Sequence, residues 1–154
     1  MSVNMTPGGT RGQRRPPGAL MKVISPLTRL GYRMGGKRMD GMPVVLLTTK
    51  GARSGELRTS PVMAFPQGDS EWLVVASFGG SVQHPAWFHN MARHPDEVWV
   101  ELDGRRVKVA PTSLTDEERA RAWREITGKA GRFAGYQDKT DREIPVVRLT
   151  ATGG

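Results

Sequence analysis

From residue 44 onward the apolar positions fall in short runs separated by glycine, proline and acidic turns, which is the pattern of strands. Val44–Thr49 is β-branched and apolar and predicts a buried strand. Gly51 and Gly55 punctuate Lys50–Glu56 as a turn. Leu57–Phe65 resumes as a second strand, with Pro61 implying an edge or a bulge. Gln67-Gly68-Asp69 turns the chain into a third strand, Trp72–Ser77, which Gly79-Gly80 ends. Val98–Leu102 and Arg106–Ala110 flank Asp103-Gly104, an Asp-Gly pair between alternating runs and so a hairpin. Val146–Thr150 supplies a last strand. Two helices interrupt this pattern. One has Pro85 at its first helical position, runs to about Arg93 and stops before Pro95. The other begins at Thr115, where Thr115 and Glu118 have capping-box spacing, and continues to about Thr127. A shorter helical turn covers Phe133–Asp138. Six or so antiparallel strands with inserted helices predict a mainly-β fold, a barrel decorated by helices.

The first part of the chain reads differently. Residues 1–18 are rich in Gly, Pro, Thr and Arg and predict a disordered basic arm. Leu20, Val23, Ile24, Leu27, Leu30 and Met34 recur at helical spacing across residues 19–34, interrupted by Pro26. That stretch predicts a short helix or two half-helices, packed on the barrel or lying on a membrane surface. Residues 35–42 predict a loop. The domain organisation is thus an arm, 1–18, and one barrel domain, 19–154.

Charge sharpens this division. Residues 1–40 hold eight Lys/Arg against Asp40, whereas residues 41–154 hold fifteen against fourteen Asp/Glu. The net charge of +8 therefore belongs mostly to the arm, and the folded part is nearly neutral. A basic nucleic-acid-binding module is a reading the charge split argues against, and the basic strand face interleaved with aromatics that RNA binders use is missing. Arms of this kind attract many anionic surfaces, so peripheral membrane contact through residues 1–34 stays open. There is no cysteine, which removes disulfides, thiolate metal sites and cysteine catalysis. With no apolar run long enough to span a bilayer and no secretory signal pattern, the expected location is cytoplasmic, with membrane association open.

Four segments could carry chemistry. In Lys50–Arg58, the cations Lys50, Arg53 and Arg58 flank a glycine turn and Ser54 adds a hydroxyl, so donors and charge can converge on an anion. A solubilising surface hairpin has the same composition, and P-loop spacing is absent. Ala76-Ser77-Phe78-Gly79-Gly80 ends a strand in small residues against which a flat ring can lie, or is a simple turn. His84–Met91 starts a helix whose N–H groups can meet an anion. Trp87 and Phe88 also read as core. All three histidines, His84, His89 and His94, lie close together, but their spacing does not share a helical face, so no metal site is expected. Tyr136 offers a phenol able to orient a carbonyl or deliver a proton. No hydrolytic constellation stands out, and a bound cofactor is the economical source of chemistry.

In order along the chain, Pro43–Gly55, Arg58-Thr59-Ser60-Pro61, Val74–Gly80, His84–Asn90, Tyr136-Gln137 and Thr140–Val147 resemble the deazaflavin-dependent nitroreductase family of actinobacteria, which uses coenzyme F420. The resemblance covers roughly residues 40–150. It implies a split β-barrel similar to flavin-binding barrels, and hydride transfer from the reduced deazaflavin to a small-molecule acceptor such as a quinone, enone or nitroaromatic. It implies that Lys50, Ala52, Arg53, Ser54 and Arg58 hold the phosphate and oligoglutamate tail. Thr59, Ser60, Pro61, Val62 and Met63 line the cofactor's path, and Val75, Ala76, Ser77 and Phe78 border the ring. Ala86, Trp87, Phe88, His89 and Asn90 supply the helix N-terminus and more wall. Phe133 and Tyr136 sit over the acceptor, with Tyr136 the candidate catalytic group. Met63, Phe78 and Phe133 replace polar residues of the best-known member, which leaves the acceptor open. A barrel holding FMN, FAD or haem is the alternative, and the chain is expected to be a monomer or a homodimer.

Overall fold

The computed structural model describes residues 3, 5–10, 37–39, 42–81 and 83–152. Eight strands lie among them: β1 (Lys37–Met39), β2 (Met42–Lys50), β3 (Leu57–Met63), β4 (Phe65–Pro66), β5 (Glu71–Val75), β6 (Val98–Leu102), β7 (Arg105–Ser113) and β8 (Val146–Ala151). Three α-helices are interposed: α1 (Ala86–Arg93), α2 (Asp116–Lys129) and α3 (Arg132–Lys139). One turn of 3-10 helix, Phe78–Gly80, precedes α1. The sheet runs β4-β5-β8-β7-β6-β2, with β3 also on β2 and β1 at its end, and the pairings are antiparallel. It curls into a half-barrel, the mainly-β architecture expected.

Two cores sit on opposite faces of this sheet, and period-two alternation sorts residues between them. Val45, Leu47, Trp72, Val74, Val98, Val100, Val147 and Leu149 face inward, where Phe88 and Met91 of α1 plug the barrel. Leu73, Val75 and Val146 face outward and pack under Ile126 of α2 and Phe133 of α3. β5 is covered on both faces, which is why Trp72–Ala76 reads as an unbroken apolar run rather than an alternating one.

Several boundaries differ from the sequence expectation. Residues 37–39, expected in a loop, form β1, paired with Met42–Val44. Lys37-Arg38-Met39 has no alternation to announce a strand. The run Leu57–Phe65 is two strands: β3 pairs with β2 and β4 with β5, and the chain changes partner at Ala64, whose N–H donates to Pro43 O. Pro61 lies on β3, which among the described strands pairs with β2 alone, in line with its edge reading. Pro85 is the residue before α1 rather than its first. Thr115 precedes α2 without making the capping bond its spacing suggested. Glu118 instead accepts from Arg148 Nη1 at 2.8 Å, and three acidic residues in the first turn complement the helix dipole.

The expected helical stretch at 19–34 lies outside the described residues. Of the arm, Val3 packs in the inner core and residues 5–10 make side-chain and backbone contacts to the barrel. Among the described residues, no helix is long and apolar enough to cross a membrane.

Candidate coenzyme site

The turn between β2 and β3 is built by its glycines. Gly51 N–H donates to Glu56 O at 2.7 Å, and Gly55 N–H returns to Gly51 O at 3.0 Å. A Cβ on Gly51 would lie 2.6 Å from Ser54 Oγ and 3.1 Å from Glu56 O, so a larger residue would have to displace the Ser54 hydroxyl and press on the turn backbone. Gly55 takes a φ of 72°, the left-handed region that glycine enters freely. Ser54 Oγ accepts from Glu56 N–H, so the hydroxyl stabilises its own turn.

Asn90 ties this turn to α1. Its Oδ1 accepts from Ala52 N–H at 2.9 Å, and its Nδ2 donates to Thr49 Oγ1 at 3.1 Å. The side chain is buried, so these bonds act away from competing water. Hairpin and helix therefore hold a fixed relation. A cavity of about 560 Å³ opens between them, lined by Gly51, Ala52, Arg53, Ser54, Arg58, Gln83, His84, Ala86, His89 and Asn90. Among the described residues, two arginines and no carboxylate stand on that lining. The helix N-terminus beside it has neither a side-chain cap nor an acidic residue in its first turn. Oriented N–H groups and fixed positive charge thus face the same volume.

Behind the lining is a third cation. Arg142 is 1% exposed and lies against His84. Burial, then the charges of Arg142 and Arg53, holds the His89 pKa below its ordinary value. His84 is likewise lowered, by burial most of all. Both imidazoles are neutral at pH 7, and the site's charge comes from arginine.

The cavity brings together Ala52, Arg53, Ser54, Arg58, Ala86, His89 and Asn90 of the residues expected from sequence. Lys50 lies outside its lining, in an ion pair with Glu97 at 3.4 Å. Thr59 bonds across the strands to Thr48, and Met63 turns into the outer core. Val75 and Ala76 are buried on opposite faces of the sheet, and the Ser77 carbonyl accepts from Arg142. Trp87 and Phe88 are inner core. Ser60, Pro61 and Val62 continue along β3. Phe133 stacks edge-on between Phe65 and Tyr136, with centroids 5.9 and 5.7 Å away. Phe78 takes a φ of 48°, a strained value for a bulky side chain. Sequence reasoning missed Gln83 and His84 as lining residues and Arg142 behind them; nothing in a lone Arg within Thr140–Pro145 signals burial.

Comparison with known proteins bears directly on this site. The family described as F420H(2)-dependent quinone reductase matches residues 27–151. The chain belongs to that family. Its coenzyme is therefore F420 and it is an oxidoreductase, which decides among the cofactor alternatives left open by sequence. An F420H(2)-dependent quinone reductase of Mycobacterium tuberculosis is 37% identical over 125 residues, covering 79% of this chain and 80% of the relative. A solved F420-H2 dependent reductase, FDR-A, superposes with a TM-score of 0.61 at 36% identity, covering 69% of this chain and 92% of that one. A structure described as a domain-swapped dimer gives 0.62 at 36% identity, covering 69% and 78%. The residues present fit a polyanionic coenzyme: the cavity offers arginines and helix N–H groups, with no carboxylate among its described lining residues to repel it.

Proposed function

We propose that this chain passes a hydride from reduced F420 to a quinone-class acceptor, holding the coenzyme's phosphate and oligoglutamate tail on Arg53, Arg58 and the N-terminus of α1. The observation that carries this reading is the cavity at the junction of the turn and α1, whose described lining holds two arginines and no carboxylate. When bound, the deazaflavin supplies the hydride. The chain's own residues bind, orient and exclude water. Arg53 and Arg58 attract the tail by charge-assisted bonds, and Ala52 is set in place by Asn90. Ala76, Ser77 and Phe78 form the loop assigned to the ring, its strand end desolvated by the two cores. Phe133 and Tyr136, an edge-on aromatic pair, are assigned to the acceptor, with the Tyr136 phenol as the group to orient or protonate its carbonyl oxygen.

Titration with oxidised F420, followed by its fluorescence, tests the site; no binding up to about 100 µM would sink the reading. Steady-state oxidation of reduced F420 with a quinone, an enone and a nitroaromatic then tests the acceptor. The quinone is expected to have the highest kcat/KM, and a quinone slower than both others would overturn that assignment. Tyr136→Phe should lower kcat with little change in F420 affinity.

A further inference from the structure

Arg142 heads the large side chains that are fully buried, and coenzyme binding as described gives it no role. Its guanidinium makes four hydrogen bonds. Nε donates to Ser81 O at 3.0 Å, Nη1 to Ala76 O at 3.0 Å and to His84 Nδ1 at 2.8 Å, and Nη2 to Ser77 O at 2.7 Å. None of these partners is a carboxylate. Burial pushes its pKa down only to about 10, so it stays charged at neutral pH. Among the described residues this buried cation is satisfied by neutral acceptors, a costly arrangement, and proteins keep such costs where function needs them.

The three carbonyls bracket the 3-10 turn Phe78–Gly80. Inside that turn Phe78 is strained, and strain of this kind persists only where its surroundings over-determine it. The far end is held too, since a Cβ on Gly80 would lie 2.6 Å from Tyr136 O. The fourth partner fixes His84. A guanidinium only donates, so Nδ1 accepts and the ring proton sits on Nε2. Nε2 then donates to Thr6 O at 2.7 Å. Two more anchors hold the same segment. Thr10 N–H donates to Asp141 Oδ1 at 2.7 Å and its hydroxyl to Oδ2. Gly9 packs so closely on the Thr140–Arg142 turn that a Cβ would meet Asp141 Oδ1 at 2.6 Å and Arg142 Cβ at 2.9 Å.

We infer that Arg142 is a positioning residue: it shapes the Ala76–Ser81 loop and, through His84, fastens Met5–Thr10 beside the cavity, making that segment part of the coenzyme site. The last clause rests on the cavity being the F420 site; the clamp itself does not. His84 lines the cavity, so whatever holds its ring holds one wall. A polar N-terminal segment, with little to bury beyond Val3, is ordered by hydrogen bonds and one close glycine contact.

The full-length chain, with Arg142→Gln, Arg142→Lys and Gly9→Val, decides it by three readouts. Hydrogen exchange of the 1–10 peptide reads the segment, NMR titration of the His84 ring reads the clamp, and F420 fluorescence reads the site. Arg142→Gln should speed exchange, move the His84 titration to higher pH and weaken F420 binding roughly tenfold. Arg142→Lys keeps the charge but cannot reach four acceptors, and should still leave the segment unprotected. Gly9→Val should lift the segment with Arg142 intact and weaken F420 binding several-fold. If Arg142→Gln does not fold, His84→Gln breaks the link from the other side and should give the same loss of protection. Unchanged exchange in the Arg142 or His84 variants, or an unmoved His84 titration in the Arg142 variants, would overturn the clamp. F420 affinity within about twofold of the parent in Gly9→Val would overturn the segment's place in the site. A parent chain that binds no F420 would instead refute the cavity reading and the last clause with it, while exchange and titration still decide the clamp.

Discussion

The Lys50–Arg58 segment and the Thr140–Arg142 turn both set arginine at one cavity, the first on its lining and the second behind it, by opposite means. On the first, Arg53 is exposed and Arg58 pairs with Glu56 at 3.1 Å across a partly solvated surface. Exposed pairs of this type contribute about 0–1 kcal/mol and are screened by salt. These side chains are free to trade one partner for another, as an incoming anion requires. On the second, Arg142 is buried, with four of its five N–H donors committed to neighbours within the fold. Charge on the first turn recognises; charge on the second shapes.

Stability separates the two most strongly. Arg142→Gln leaves buried carbonyls without a donor and is expected to cost about 3–5 kcal/mol in urea unfolding. Arg53→Ala removes an exposed side chain and should stay within about 0.5 kcal/mol of the parent. Equal losses would collapse the distinction. Binding reverses the contrast. The double variant Arg53→Ala with Arg58→Ala should weaken F420 roughly a hundredfold, equivalent to about 2.7 kcal/mol, with the melt nearly unmoved. The residual affinity should also depend less on salt, because the charges it relied on are gone. A parent-like salt dependence in the double variant would place the tail elsewhere.

How each turn shows in the sequence follows from the same physics. Gly51 and Gly55 mark the first turn because local geometry demands them, and local geometry is written in neighbouring residues. Val45, Leu47, Val98 and Val100 announce their strands by alternation for the same reason. Arg142 reads as one more surface charge, since its burial comes from Ala76, Ser77, Ser81 and His84, far away along the chain. β1 escaped notice because pairing with β2, not side-chain pattern, makes it a strand. Phe78 and Gly79 looked like a loose turn, and only the fold reveals the strain at Phe78. The family resemblance reached the coenzyme because its motifs lie in order. The pairing of Lys50 with Glu97 joins residues far apart along the chain, and no local motif announces it.

Asn90 joins the two regions, since it is buried like Arg142 but serves the exposed turn. Asn90→Ala removes the acceptor of Ala52 N–H and the donor to Thr49, and should cost about 1–2 kcal/mol of stability. It should also weaken F420 several-fold while the salt dependence persists, because both arginines remain. Asn90→Asp restores the acceptor but puts a negative charge beside the cavity. It should recover less affinity than stability, and full recovery of both would show that Asn90 only supports the turn.

The smallest effect is the dependence on pH. His84 and His89 have folded-state pKa values below the ordinary 6.5, in both cases chiefly through burial, with Arg142 acting on each and Arg53 on His89. Above pH 6.5 the folded and unfolded chains are both neutral at these positions, and stability does not change on their account. As pH falls through 6.5 the unfolded chain takes up protons first, so stability declines until the lower folded-state values are passed. Thermal melts at pH 7.5 and 5.5 should show this loss, and it should shrink in His89→Gln. An anion in the cavity acts in the opposite sense. Carboxylates or phosphate beside His89 offset the arginine field and raise its pKa, so binding draws in a proton and F420 affinity should rise over the same fall in pH. Protein stability and coenzyme affinity then move in opposite directions across one window. Were both to fall together below pH 6.5, the anion would not be reaching His89, and the tail would lie nearer Arg58 than the helix.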